Sequence, residues 1–283
     1  MTPRTQRPPL IISIQSQVVF GHVGNSAAAF PMQAAGLEVA QIPTVLFSNT
    51  PDYATLRGAP VPKEIFADLL LGATERDLPQ RATWIMSGYI GSIEVAELVA
   101  DYVAVAKAAN PRLRYLCDPV MGDHAPGLYV PAEIAEIMRD RLLPMADLAT
   151  PNAFELAYLT GQPVNRLDEL QDAAQSLRLA ANGTAIVTGC VLEDTADGML
   201  ETIICGGETP LRHATRLQPV ALPGTGDLFA ALVIAALACG RDLSGAVIFA
   251  QELTSGALVH AAHIGAGEVV LSDPKFRREL LAL

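Results

Sequence analysis

The chain has 283 residues, 51% of them hydrophobic and 17% charged, with a formal charge of −11. That composition supplies a substantial buried core and excludes disorder. The acidic balance excludes nucleic acid as a main partner, since a phosphate backbone demands clustered Lys and Arg. It leaves room for one small phosphate ligand held by backbone N–H groups.

In chain order, Pro9–Ile14 is a mostly apolar run, read as a strand buried on both faces. Asn25–Ala35 follows as an Ala-rich helix closed by Gly36. Val39–Phe47 reads as a strand, Pro62–Leu71 as a helix, Thr83–Ser87 as a strand, Ile93–Ala109 as a long helix and Leu113–Cys117 as a strand. Ala132–Arg141, Asp147–Thr150 and Asn152–Thr160 continue the alternation, before a helix at Leu167–Ala181 and a strand at Thr184–Val187. Glu201–Cys205 and Thr209–Ala214 flank Gly206-Gly207-Glu208, a hairpin signal. Leu228–Cys239 and Leu243–His263 read as helices. Strands spaced by helices in this way predict βαβ units, a mainly parallel central sheet and helices on both faces, a three-layer α/β/α arrangement. With no linker or repeat, a single domain over 1–283 is expected.

Leu228–Cys239 is the longest uninterrupted apolar run and falls short of the roughly 18 residues that a bilayer requires. The N-terminal stretch, with Arg4 and Arg7, leads straight into the first strand, so no signal peptide and no membrane partner are expected, and a cytoplasmic location is. Cys117, Cys190, Cys205 and Cys239 lie far apart with no CxxC spacing. Three sit in apolar runs and are expected as buried free thiols.

Ligands on such sheets bind past the carboxyl ends of the strands, so the loops there carry the chemistry. After the first strand, Gly21 and Gly24 break the chain, Asn25 or Ser26 can cap the next helix, and Ser16 can hydrogen-bond a polar ligand. After the third strand, Tyr89 between Gly88 and Gly91 offers an aromatic face. After the fourth comes Asp118, an acid that is costly at a strand end unless solvated, paired or bound to a cation. The fifth strand ends in Thr150-Pro151-Asn152-Ala153-Phe154-Glu155, which also reads as a capping box, and the sixth ends near Thr188. Last comes Pro223-Gly224-Thr225-Gly226-Asp227, opening an apolar helix. Gly224, Thr225 and Gly226 make a candidate anion hole at a helix N-terminus, with Asp227 in the first turn, held ionised by the helix dipole. The same residues also describe an ordinary Asp-bearing helix start after a glycine turn. Asp118, Glu155 and Asp227 fall at one predicted sheet edge, an arrangement suited to Mg2+ with nucleotide, because magnesium is held by one or two carboxylates plus waters and phosphate oxygens. No GxxxxGK[ST], no GxGxxG with its acid, and no GxSxG elbow is present.

Together the segments Gln15 to Ala28, Phe47-Ser48-Asn49-Thr50, Ser87-Gly88-Tyr89, Asp118 to Asp123, Thr150 to Glu155 and Gly224 to Phe229 resemble the pyridoxal kinases of the ribokinase-like superfamily. The resemblance runs nearly end to end. It implies ATP-dependent phosphorylation of the 5′-hydroxymethyl group of pyridoxal, pyridoxine and pyridoxamine, the B6 vitamers. It further implies Mg2+, assistance by K+ and a homodimer. By likeness Asp227 is the base and Gly224, Thr225 and Gly226 the anion hole. Ser16 holds the pyridine ring, with Val23, Asp52, Tyr89 and Asp227 around the substrate. Asp118, Thr150, Asn152 and Thr188 match nucleotide-site positions, and Glu155, Tyr129 and Asp118 lie near magnesium. Three positions depart from the pattern: Phe20 stands where many members carry Tyr, Asp52 where some close relatives carry His, and Pro223 removes an N–H just before the anion hole. The first two bear on the preferred vitamer more than on the reaction. The rival readings are a hydroxymethylpyrimidine kinase, a sister branch that tends to place Cys after Gly-Thr-Gly, and a non-catalytic homologue that binds pyridoxal phosphate.

Overall fold

The computed structural model describes residues 7–207 and 209–283. Arg4 and Glu208, which entered the sequence reading, lie outside the described residues. The strands are β1 (Leu10–Val18), β2 (Glu38–Phe47), β3 (Gly58–Pro60), β4 (Ala82–Ser87), β5 (Arg114–Cys117), β6 (Gly122–Asp123), β7 (Gly127–Leu128), β8 (Leu148–Ala149), β9 (Thr184–Cys190), β10 (Met199–Cys205) and β11 (Leu211–Arg216). The helices are α1 (Asn25–Ala34), α2 (Lys63–Thr74), α3 (Leu78–Arg81), α4 (Ile93–Ala109), α5 (Ala132–Ile137), α6 (Ala153–Thr160), α7 (Leu167–Gln175), α8 (Thr225–Ala238), α9 (Leu243–Ile264) and α10 (Pro274–Leu281).

A nine-stranded sheet runs in the order β11-β10-β9-β8-β5-β4-β1-β2-β3. The six strands from β9 to β2 are parallel, and β3, β10 and β11 are antiparallel additions at the two edges. The mainly parallel α/β/α arrangement read from the alternation is therefore the one observed. Side chains leave successive strand positions on opposite faces. In β1, Leu10, Ile12 and Ile14 pack with residues of α2, α4, α5, α6 and α7, while Ile11 packs with α1, α8, α9 and α10. Helix α8 is apolar around its whole circumference, and every residue from Asp227 to Ala236 is buried. It lies wedged beside α1 and α9 on one face of the sheet. From β1 the chain moves to β2 on one side and to β4 on the other, so the topology reverses at β1 and leaves a crevice there.

Several boundaries differ from the sequence expectation for local reasons. Strand β1 runs on to Val18, because Gln15 and Gln17 find partners on Ser13 and Ser26 and pairing with β2 resumes at Gln17 after a register shift between them. The expected helix 132–141 gives way to a wider turn at Met138–Leu142 and a tight one at Leu143–Met145, where Pro144 has no N–H to continue the ladder. Helix α7 stops at Gln175 rather than Ala181, and Arg178 sits at φ 51° just beyond it. Helix α10 was not anticipated in a charged stretch. Asp273 caps it by accepting from the Phe276 N–H (3.1 Å), and Phe276 and Leu280 bury its one apolar stripe. Of the cysteines, Cys117 and Cys190 are buried, Cys205 is half-buried and Cys239 is exposed. Among the described residues, no helix is long and apolar enough to cross a membrane.

The burial of α8 sets a stability expectation. Leu232→Ala should cost about 2–5 kcal/mol, the range for truncating a fully buried leucine, read from urea unfolding. A cost under about 1 kcal/mol would mean that α8 is not close-packed on the sheet.

Candidate active site

Asp227 lies in the first turn of α8 and is 8% exposed. The turn before it depends on Gly224, which caps the helix at φ 80°, ψ 2°. A Cβ there would fall 1.7 Å from the His22 carbonyl oxygen, so only glycine lets the helix start close on the β1 loop. The Thr225 hydroxyl donates to the Leu222 carbonyl (2.7 Å), which closes the turn from within. Gly226 has open space where a side chain would be. The first N–H groups of α8 lack intrahelical acceptors by helix geometry and carry its positive end. The helix start was expected to keep Asp227 ionised; burial works against that, raising the carboxyl above its usual range, and the Gly24 N–H pulls it back. Its Oδ1 is buried without a hydrogen-bond partner.

The three acids expected at one edge do converge. Asp118 follows β5 and is 4% exposed. Its Oδ1 accepts from the Thr150 hydroxyl (2.8 Å), while Oδ2 is buried and unpartnered. Burial, then the charge of Asp227, push its carboxyl up to about 8, and the Thr150 hydrogen bond works against them. Glu155 is held differently. Its Oε2 accepts from the Asn152 N–H (2.8 Å) and its Oε1 from the Met121 N–H (3.0 Å), while Asn152 Oδ1 accepts from the Glu155 N–H (2.8 Å). The capping box is thus real, and it fixes Glu155 beside Asp118. Burial and the Asp118 charge raise Glu155 well above the carboxylate range. Asn152 also donates through Nδ2 to the Gly122 carbonyl (2.9 Å), tying α6 to the β6–β7 hairpin. Tyr129, just past β7, is raised by burial and by Glu155, Asp118 and Asp227 in turn, so its hydroxyl faces the acid cluster. Thr188 in β9 is half-buried and pairs with Asn152 across the sheet edge.

On the other side of Asp227 stand the residues expected at the substrate. Ser16 is buried, and Gly24 packs so tightly on it that a Cβ would meet its Oγ at 2.2 Å. Val23 is half-buried in the same turn. Tyr89 is half-buried after β4, its ring 6.4 Å from that of Tyr129. Asp52 is fully on the surface, in a loop beyond β2, and is the one expected substrate residue that the fold does not bury. Phe20 is exposed too and meets Tyr53 edge to face at 5.9 Å. The sequence reading missed a fourth buried carboxylate, Glu268, which reaches this side from beyond α9. Its only sequence signal is an acid stranded between Gly267 and an apolar pair.

The donor set admits magnesium only with help. Among the described residues no three acidic, His or Cys side chains gather closely enough to hold an ion alone. Asp118 Oδ2 is free and Glu155 is anchored by backbone N–H groups, which fits an ion completed by waters and phosphate oxygens. The two glycine-bearing stretches that stand out as lid candidates differ. Residues 191–198 are tied down, with Arg212 gripping Asp194 and Glu201 and Thr195 bonded to Glu201. His124–Gly127 forms the tip of the β6–β7 hairpin, its His124 ring resting on Phe154 at 6.0 Å.

Two outcomes follow from this geometry. In the metal-free protein the folded state keeps a proton on Asp118 that the unfolded chain releases from about pH 4 upward, so stability declines as pH rises toward 8. Asp118→Asn should therefore raise Tm, by more at about pH 8 than at about pH 5. A pH-independent change would remove burial of this acid as the cause. Gly224→Ala should lower stability by more than the roughly 1–2 kcal/mol of a left-handed alanine, because the backbone of His22 must also give way. Unfolding that matches the unaltered chain would contradict the close approach.

Comparisons with known proteins place the chain in a family. Residues 33–272 match the family model described as phosphomethylpyrimidine kinase. A pyridoxal kinase of Rubrobacter xylanophilus is 37% identical over 262 residues, covering 92% of this chain and 90% of that protein. A pyridoxine/pyridoxal/pyridoxamine kinase of Bordetella avium is 40% identical over 253 residues, covering 89% and 83%. The solved pyridoxal kinase from Leishmania donovani in complex with ADP and pyridoxine superposes with a TM-score of 0.86 at 28% identity, covering 96% and 94% of the two chains. By these matches and its sheet order, the chain belongs to the pyridoxal kinase family and has the ribokinase-like fold.

Proposed function

We propose that this chain transfers the γ-phosphoryl group of ATP to the 5′-hydroxymethyl group of pyridoxal, with pyridoxine and pyridoxamine as further substrates. The observation that carries the reading is Asp227: a buried carboxyl with a free oxygen, at the N-terminus of a helix whose glycine turn is pressed against the β1 loop. The reading takes with it what the resemblance implies, namely Mg2+, assistance by K+, a homodimer, a cytoplasmic place of work and one domain spanning the chain.

In this scheme the hydroxymethyl oxygen attacks the γ-phosphorus and the bond from that phosphorus to the β–γ bridging oxygen breaks. ADP leaves, and the hydroxyl proton passes to Asp227 Oδ1. Such a transfer asks for positioning and charge stabilisation more than covalent work. The Gly224–Gly226 turn offers N–H groups to the phosphoryl oxygens, and the start of α8 adds its positive end. Burial brings the Asp227 carboxyl closer to working pH, which makes it a better proton acceptor than an ordinary aspartate. Asp118 Oδ2 and, at one remove, Glu155 are the groups that would hold Mg2+ with the phosphates; the ion supplies neutralisation of charge on the β- and γ-phosphoryl oxygens when bound. Thr150, by bonding Asp118 Oδ1, leaves Oδ2 as the oxygen directed to that task. Ser16, Val23 and Tyr89 border the place for the pyridine ring. Asp52, being exposed, acts on the ring only from the rim.

Coupled ATP turnover with each vitamer and with hydroxymethylpyrimidine tests the assignment. Faster turnover of hydroxymethylpyrimidine than of every vitamer would move the chain to the sister branch, and none with any substrate would favour the non-catalytic homologue. Asp227→Ala should keep the fold and ATP binding while turnover falls by at least about 10²-fold. With Asp227 raised by burial, turnover should also decline on acidification at a higher pH than an ordinary aspartate would give. Near-normal turnover by the Ala variant would sink its role as base.

A further inference from the structure

Glu268 lies beyond the C-terminal end of α9, 8% exposed, and touches two loops from the other end of the chain. Its Oε2 accepts from the His22 N–H (3.2 Å) and its Oε1 from the hydroxyl of the fully buried Thr50 (3.0 Å). The Tyr53 phenol is raised by desolvation and then by the nearby Glu268 carboxylate. Among the described residues, no Lys or Arg pairs with this carboxylate; neutral donors satisfy it instead. The recess is shaped to it: at Gly21, at φ 96°, a Cβ would lie 2.6 Å from Oε1.

The turn that Glu268 grips is the one that meets the reacting groups. His22 presents its carbonyl to Gly224, Gly24 packs on Ser16, and the Gly24 N–H bonds Asp227. Thr50 begins the loop that carries Asp52 and Tyr53. The nucleotide-side acids are held by a separate set of bonds, among Asp118, Thr150, Asn152, Glu155 and Met121, to which Glu268 contributes nothing.

We propose that Glu268 is a positioning residue for the vitamer pocket, stapling the Gly21–Gly24 turn to the Thr50–Tyr53 loop so that Ser16, Val23 and Asp227 face the ring and its hydroxymethyl group. This rests on the kinase reading above. It separates vitamer affinity from ATP affinity, because its two hydrogen bonds hold the Gly21–Gly24 turn and the Thr50–Tyr53 loop and none falls on Asp118, Thr150, Asn152 or Glu155.

The test uses Glu268→Ala and Glu268→Gln in the full chain. Losing two bonds to a charged acceptor should raise KM for pyridoxal on the order of tenfold or more, while KM for ATP stays within about twofold. Gln keeps one acceptor oxygen and should fall between the Ala variant and the unaltered chain. Hydrogen exchange supplies a readout independent of turnover: amides of residues 20–23 and 49–54 should exchange faster in the Ala variant, with α8 unchanged. An equal rise in both KM values, or exchange in the two loops identical to that of the unaltered chain, overturns the staple. If the unaltered chain phosphorylates no vitamer, the kinase reading fails by itself, and the exchange comparison still decides whether Glu268 holds the two loops.

Discussion

Everything at this site depends on carboxyl groups kept out of water at one end of a parallel sheet. A buried, unpaired carboxylate is among the costlier things a fold can hold. Asp118 and Asp227 both leave an oxygen without a partner, and each is raised by burial. The chain supports them with a deep apolar foundation: two clusters, one on each face of the sheet, and α8 sunk almost whole into one of them. Such unsatisfied acids mark a place where stability is given up for chemistry. A polyvalent cation or the N–H groups of a helix start are the partners that would relieve them.

The two halves of the site are held by different physics. Around Asp118 and Glu155, short-range bonds dominate. Asn152 and Glu155 exchange hydrogen bonds within one turn, and Thr150 reaches Asp118 across one strand spacing. Around Ser16 and Asp227 the contacts are steric, and two of them join distant parts of the chain: Gly24 on Ser16, Gly224 on His22, Gly21 around Glu268. Glycines there are not hinges. They are positions where a single methyl group would push a neighbouring backbone or side chain away.

Much of this was legible in the sequence, and the reasons are particular. Strands such as Thr83–Ser87 announce themselves as β-branched and apolar runs between helices. The loops after them carry the acids because parallel topology puts their carboxyl ends together. Asp118, Glu155 and Asp227 were placed at one edge by that rule alone, and the edge is where they lie. What the sequence hid was of two kinds. Short elements such as β3 and the β6–β7 hairpin are fixed by their partners and not by any periodicity of their own. Glu268 was hidden because its meaning lies wholly in tertiary contacts with Gly21, His22 and Thr50. The upward pull on Asp227 was hidden for a related reason: the helix dipole can be read from a motif, whereas burial depends on what the rest of the chain packs around it.

The tie between Glu268 and His22 joins residues 246 apart in sequence. During synthesis a chain emerges from its N-terminus and folds progressively. The strands and the acids Asp118, Glu155 and Asp227 are all available before the last segment appears, but the clasp between the first loop and the residue after α9 closes only when the chain is nearly complete. A chain cut short before Glu268 would carry every strand of the sheet in its sequence while lacking this clasp, together with Val269, Leu271, Phe276 and Leu280 of the cluster around α8.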